Sequence, residues 1–432
     1  MNIPPLGRDV LPHKPPVRIV HLGLGAFHRS HQAWYTAKAA DAAHWGIAAY
    51  TGRTPEAAAT LAAQDGVYTL IERAADHDLC EPIGSIVRAV AGDDVDDFTA
   101  ALADPAVAIL TLTITEAGYR LDPNGNPDLA DPEVAADIEC LRDRAWASPR
   151  TALGRVLAGL AARHRKGAPP IAVVPCDNLP GNGAAVERAL TRLAEKAGLP
   201  GVLDGVAFVS TSVDRITPRT APADIELVAR ATGRLDRAPV VAEPFSDWVL
   251  SGEFPSGRPA WETAGARFTD DIGPWERRKL WLLNGAHTLL AASGTLRGHR
   301  TVADAIADPL CRNQVEALWD EAERHLPDVE VRDYRAALLE RFANPRIEHR
   351  LSQINEDSRT KLRLRIAPVA LAERAAGRPA SGCAAAIAAW LLAQGPARPS
   401  PQELLTELSP ALAADDAFRA ELAHATDLIP TV

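Results

Sequence analysis

Residues 17–22 read VRIVHL, a short run rich in β-branched side chains that ends in Gly23-Leu24-Gly25. A polar, helix-compatible segment at 30–43 follows at once, and a second apolar run occupies 45–50. Strand, glycine turn, helix and strand in that order are the opening of a doubly wound sheet. Further apolar runs lie at 107–113, 171–175 and 206–213, with helical patterns between them at 134–144 and 184–197. Strands that are apolar throughout and alternate with helices predict a mainly parallel sheet covered on both faces.

From about residue 275 the texture changes. β-Branched runs vanish, and Ala/Leu/Glu/Arg segments of helical period take over at 276–292, 309–325, 333–342, 380–394 and 401–408. The chain of 432 residues also exceeds the roughly 250–300 that one core usually organises. The pattern therefore predicts an α/β dinucleotide-binding domain of Rossmann type over 1–272 and a mainly α-helical substrate domain over 273–432, with the active site in the cleft between them. Residues 243–273, with Pro, Gly and Trp in irregular order, read as a connecting segment.

Composition narrows the partners. Apolar residues make up 47% and charged residues 24%, which suits a globular protein rather than a disordered one. The formal net charge is −10, and no cluster of Lys and Arg interleaved with aromatics would track a phosphate backbone, so nucleic acid is not an expected partner. No run approaches the ~18 apolar residues of a membrane span, and MNIPPLGRDVLPHKPP lacks a signal pattern; no membrane association and a cytoplasmic location are expected. Five scattered cysteines without a CxxC pair indicate neither a disulfide framework nor a zinc-thiolate site.

Two segments carry candidate chemistry. HLGLGAFHRSHQ (21–32) resembles a dinucleotide fingerprint in which Gly23 and Gly25 fill the first two glycine positions and His28 stands at the third. Arg29 and Ser30 suit either a helix cap or a phosphate contact. The acid expected on the ribose, about 20 residues further on, is missing: the second strand ends Tyr50-Thr51-Gly52-Arg53. Arg53 suits a 2′-phosphate or a solvated loop equally, so NAD against NADP stays open.

In ERRKLWLLNGAH (276–287), an α-helical rotation sets Glu276 about 60°, His287 about 80° and Asn284 about 140° from Lys279, one sector of the helix. A partly exposed helix with its charges in solvent is the competing reading. Against it, Leu280, Trp281, Leu282 and Leu283 mark this turn as buried, and buried Lys, Asn and His need partners that a ligand supplies. Such a set suits carbonyl–alcohol redox chemistry. A desolvated lysine takes the alcohol proton, Asn284 donates to the developing oxyanion and His287 binds a neighbouring hydroxyl. His28-x-x-His31 lacks a third ligand nearby, and no catalytic metal is expected.

Taken together, GLGAFHRSHQAWYT (23–36), QDGVYTLIER (64–73), TLTITEAGY (111–119), CDNLPGNG (176–183), VDRITP (213–218), EPFSDWV (243–249), WERRKLWLLNGAH (275–287) and RFANPRIEH (341–349) resemble the long-chain polyol dehydrogenases, a family that includes mannitol 2-dehydrogenases and fructuronate reductases (D-mannonate oxidoreductases). The resemblance implies NAD(P)-dependent, metal-independent interconversion of a secondary alcohol and a ketone on a small linear sugar acid or polyol, by a monomer. Carried onto this chain, it makes Lys279 the acid/base, Asn178 and Asn284 the carbonyl-polarising pair, His287 a hydroxyl contact and Glu276 the proton relay. Gly23, Gly25, Phe27, His28, Arg29, Arg53, Thr115 and Glu116 become cofactor contacts, and Asp214, Lys361 and Arg365 substrate contacts. Departures are visible in QINEDSRTKLRLR (353–365), where Ser358, Arg359 and Arg363 break the family pattern. Gln353 and His349-Arg350 resemble the uronate reductases, which tilts the expectation toward a sugar acid, with mannitol or another polyol as the alternative. A non-catalytic sugar or nucleotide sensor would be expected to have lost Lys279 or the paired asparagines, and both are present.

Overall fold

The computed structural model describes residues 3–52, 54–327 and 329–429. Its strands are Val17–Leu22 (β1), Gly46–Tyr50 (β2), Tyr68–Arg73 (β3), Asp78–Ile83 (β4), Ile86–Val90 (β5), Ile109–Leu112 (β6), Ile171–Pro175 (β7), Val206–Phe208 (β8), Ser210–Asp214 (β9), Val240–Ala242 (β10), Asp247–Ser251 (β11) and Arg267–Phe268 (β12). Six of them form one sheet in the order β5-β2-β1-β6-β7-β8, every pair parallel. Counted within that sheet, the order is 3-2-1-4-5-6, that of a dinucleotide-binding fold, and it reverses between β1 and β6.

Both faces of the sheet are covered, as its apolar strands require. Val20, Leu22, Ala48, Tyr50, Leu110, Leu112 and Val173 point into one core, and Ile19, Ile47, Ala49, Ile109, Ala172 and Val174 into another. The period of two along each strand divides the side chains between the layers. Because every strand runs the same way, the loops after β1, β2, β6 and β7 emerge along a single edge.

Two expectations are corrected in this unit. The run 206–213 is two strands, since β8 stays in the parallel sheet while β9 pairs with β11 in a second, three-stranded one. Asn182 sits at the departure: its Oδ1 accepts the Thr211 N–H at 2.8 Å and its Nδ2 donates to the Thr211 carbonyl at 3.1 Å, while Thr211 registers with Leu250 of β11. Residues 243–273 are likewise no mere connector, because they supply β11, β12 and two buried tryptophans, Trp248 and Trp261, whose rings pack with centroids 4.6 Å apart and planes tilted by 49°. Short strands separated by Pro and Gly hid that packing from the periodicity.

The chain divides into two compact units, Met1–Ile272 and Gly273–Val432. Among the described residues of the second, all regular structure is helical. Its central helix, Gly285–Leu296, packs on Pro309–Glu323 and Ser381–Ala393, with Leu289, Leu290, Trp319 and Trp390 buried. No helix among the described residues is long and apolar enough to cross a membrane.

Candidate active site

The glycine turn leaves β1 where the strand order reverses. Gly23 has φ 114°, and a Cβ there would sit 2.3 Å from the Thr113 carbonyl oxygen, so only glycine fits between β1 and the end of β6. Gly25 has the opposite character: a Cβ would meet only the Gly23 carbonyl, at 3.6 Å, leaving its backbone open to approach. These are the first two roles of a dinucleotide fingerprint, a tight turn and an accessible backbone. The third role, close packing of helix on strand, falls to His28. Its ring lies flat on His21 of β1, with centroids 3.3 Å apart and planes 9° from parallel. His21 is in turn fixed by Thr111 Oγ1 at 2.8 Å and Thr113 Oγ1 at 3.1 Å. A planar side chain thus replaces the missing glycine.

The helix after the turn, Ala26–Ser30, breaks at His31 before the next begins at Gln32, so the expected 30–43 helix is Gln32–Lys38 with a separate first turn. Five residues sum little macrodipole. The turn itself is held by Arg29, whose guanidinium donates to the carbonyls of Gly25, at 3.2 Å, and Ala238. Arg29 therefore braces the turn from behind. Phe27 is half-buried and stacks on His31 at 5.0 Å. His31 accepts from Gln32 and faces the Asp247 carbonyl, which accounts for both its ring nitrogens without a metal. Thr115 and Glu116 lie exposed after β6, on the same sheet edge.

Arg53 lies outside the described residues. At the end of β2 the structure brings in a cation that the sequence reading missed: Arg155, from the helix Ala152–Arg165, donates to the Gly52 carbonyl at 3.1 Å. Burial lowers its pKa, and the carboxylates of Asp137, Asp93 and Glu133 oppose that. Its position about 100 residues from β2 in sequence left no local signal.

Asn178 is exposed on the turn after β7. The turn is anchored by its neighbour Asp177, which accepts the Tyr119 hydroxyl and the Leu179 N–H, and burial pushes this carboxyl above its usual range. Asp214 ends β9, is buried, and pairs across the ladder with Asp247. Beside it Arg215, also missed by sequence reading, binds the carbonyls of Ser30 (2.8 Å) and Glu243 (3.1 Å) and the carboxylate of Glu72 (3.1 Å).

In the second unit, the expected continuous helix over 276–292 is interrupted. Gly273–Arg278 is α-helical, Lys279–Asn284 is a π turn, and Gly285–Leu296 resumes the α-helix. Within the turn the Gly285 N–H reaches back five residues to the Leu280 carbonyl. One extra residue in the turn delays everything after it by about 100°. Asn284 thereby moves from about 140° to about 40° from Lys279, and His287 to about 20° on the other side. Glu276, Lys279, Asn284 and His287 then share a sector of about 80° rather than about 140°, a narrower face than a regular helix offers.

Glu276, Lys279 and Asn284 are half-buried, whereas His287 is buried, and its Nε2 has no hydrogen-bond partner among the described residues. The ring packs against Phe342 at 4.8 Å and edge-on to His349 at 4.7 Å. Burial, then His349 and the charges of Arg341, Arg365 and Lys279, hold the imidazole neutral far below its ordinary pKa. A neutral ring with an orphaned nitrogen is equipped to bind a hydroxyl. Arg341, buried on the helix Val331–Phe342, is close enough for its charge to act on His287; it lies in RFANPRIEH, from which no role was read for it.

The basic residues near 350–365 divide by task. Arg350 is exposed and paired with Glu348, and Arg363 is exposed. The Lys361 ammonium caps the carbonyls of Ile354 (2.9 Å) and Glu356 (2.5 Å). Arg365 donates to the Asn284 carbonyl at 3.3 Å and Thr288 Oγ1 at 3.1 Å, so it touches the π turn itself. Elsewhere in this unit His299, Asp308 and Cys311 cluster with metal-ligating chemistry. Asp308 there caps the helix Pro309–Glu323 and binds His299 (2.9 Å) and Arg297 (2.5 Å), which accounts for the cluster as an ion-pair network.

Comparison with known proteins shows what the two units are similar to. Residues 17–263 match the mannitol dehydrogenase Rossmann domain and residues 271–417 the mannitol dehydrogenase C-terminal domain. Mannitol 2-dehydrogenase of Cereibacter sphaeroides is 37% identical over 387 residues, covering 86% of this chain and 80% of that protein. D-mannonate oxidoreductase of Escherichia coli (strain K12) is 35% identical over 364 residues, 81% of this chain and 74% of that protein. The Pseudomonas fluorescens mannitol 2-dehydrogenase structure, a ternary complex with NAD and D-mannitol, superposes with TM-score 0.77 at 33% identity, covering 99% of this chain and 90% of that one.

Proposed function

Because the chain belongs to the mannitol dehydrogenase family, oxidoreductases acting on CH–OH groups, we propose that it interconverts a secondary alcohol and a ketone on a linear sugar acid, using a nicotinamide dinucleotide and no metal. A bound nicotinamide supplies or accepts the hydride. The strand order, the open backbone at Gly25 and the turn enforced at Gly23 fit that cofactor.

In this reading Lys279 removes the alcohol proton as hydride departs, and returns it to the alkoxide in the reverse direction. Glu276, one helical turn before it, exchanges that proton with solvent. Asn284 donates its amide N–H to the reacting oxygen, Asn178 contributes a second such amide, and neutral His287 binds an adjacent hydroxyl through Nε2. Asp214 accepts a hydroxyl of the substrate chain.

The preference for an acid rests on one observation, the positive field at His287 set up by Arg341, Arg365 and Lys279. A carboxylate is stabilised in such surroundings, whereas a hexitol brings no charge to meet them. Gln353, the residue that resembles the uronate reductases, supports the same choice. The relatives include both substrate types at similar identity, so assay decides between them. With keto-uronates and ketohexoses tested against NADH and NADPH, fructuronate or a related keto-uronate is expected to show a higher kcat/KM than fructose. A clear preference for fructose and mannitol over every acid would overturn the choice of substrate. The same panel identifies the cofactor.

A further inference from the structure

A π turn gives up the regular α-helical pairing, and the carbonyls within it must find other donors or remain costly in a buried setting. Here the carbonyls of Leu280 and Leu282 accept backbone N–H groups at the end of the turn, and side chains add to them. The Leu282 carbonyl, in the middle of the turn, accepts the indole Nε1–H of Trp319 at 2.8 Å. Trp319 is fully buried on the helix Pro309–Glu323, and Leu282 is fully buried too, so water is not an alternative partner. At the end of the turn the Asn284 carbonyl accepts Thr288 Oγ1 at 3.0 Å and Arg365 Nη1 at 3.3 Å. Thus the turn that sets the angle between Lys279 and Asn284 is tied to other helices by Trp319 and Arg365, and braced by Thr288 within its own helix.

We propose that Trp319 is a positioning residue: its indole N–H stabilises the π turn and thereby sets Asn284 beside Lys279, without touching substrate or cofactor. The inference rests on the catalytic reading of Lys279 and Asn284 above. Without the indole donor, the buried Leu282 carbonyl keeps only a backbone N–H and loses the bond that ties the turn to the helix Pro309–Glu323, and the α-phase, which turns Asn284 about 100° away from Lys279, becomes competitive. Thr288 acts on the same turn from its other end, by a shorter lever.

Trp319→Phe retains an aromatic ring and removes the donor. Turnover should fall about ten- to a hundredfold per folded molecule, with KM for the substrate and the affinity for NADH changed less than about twofold. The pH profile of kcat should shift, because the acid/base has lost its fixed relation to the oxyanion donor. Thr288→Val should show the same signature at smaller size. Phe418→Leu, a buried change in the helix Asp416–Leu428, serves as the control: it should lower stability and leave kcat and its pH profile unaltered. If Trp319→Phe does not fold, replacement of Trp319 by benzothienylalanine, which keeps the bicyclic shape but lacks the N–H, carries the same expectation. Wild-type kcat and pH profile in the Trp319 and Thr288 variants, with Lys279→Ala inactive, would overturn the positioning role alone. Full activity in Lys279→Ala would instead remove the catalytic reading on which it stands.

Discussion

His28 lies face to face with His21, ring centroids 3.3 Å apart, in a layer closed to water beneath the glycine turn. Two cations cannot occupy that geometry, and burial pushes the His21 imidazole down to about 3 and that of His28 well below its usual value, with the neighbouring His21 adding to the effect. Both folded pKa values lie below the unfolded one of about 6.5, so the unfolded chain binds more protons as pH falls. Stability is therefore intact above pH ~6.5 and declines below it, by about 2 kcal/mol at pH 5 for His21 alone. Urea unfolding at pH 7.5, 6 and 5 should show this slope. His28→Phe, which keeps a flat ring and carries no proton, should reduce it, and an unchanged slope would contradict the neutral stack.

Lys279→Ala should lower kcat by about 10²–10⁴, with the Kd of the nicotinamide cofactor nearly unaltered, since in the proposed mechanism the residue acts on the substrate proton. Added primary amines of small size should restore part of the loss. Full turnover without a rescue agent would remove Lys279 from the mechanism.

Gly23→Ala places a methyl group 2.3 Å from the Thr113 carbonyl oxygen at a φ of 114° that alanine avoids. β1 and β6 must then separate at the point where the cofactor is expected to bind. Weaker NADH binding should accompany a loss of at least about 1–3 kcal/mol in stability, measured by fluorescence titration and thermal unfolding. Gly25→Ala, which meets only the Gly23 carbonyl at 3.6 Å, should cost less stability while still weakening NADH. Equal stability losses at the two positions would contradict this division of roles.

Arg365→Ala should do two separable things. Loss of its hydrogen bonds to the Asn284 carbonyl and Thr288 should lower kcat for every substrate, acid or polyol. Loss of its charge should in addition narrow the preference for a keto-uronate over a ketohexose by roughly 1–3 kcal/mol in kcat/KM. A uniform drop without any narrowing would assign Arg365 to the π turn only and place the carboxylate elsewhere.

The chain's periodicity alone determined the alternation of strand and helix through the first unit and the helical character of the second, because both follow from where apolar residues recur locally. Gly23 and Gly25 were legible for the same reason, since a turn between a strand and a helix is a matter of a few adjacent residues. Lys279, Asn284 and His287 stood out because polar groups in an apolar run need partners. What that run could not disclose was its own phase. The π turn Lys279–Asn284 is met by a donor 37 residues from Leu282, the indole of Trp319, and by Arg365, 81 residues beyond Asn284. Where β8 gives way to β9, the Asn182 amide pairs in the same way with the backbone of Thr211, 29 residues on. Such choices turn on hydrogen bonds and contacts between distant parts of the chain, which exist only once tertiary packing has brought the partners together and excluded water from between them.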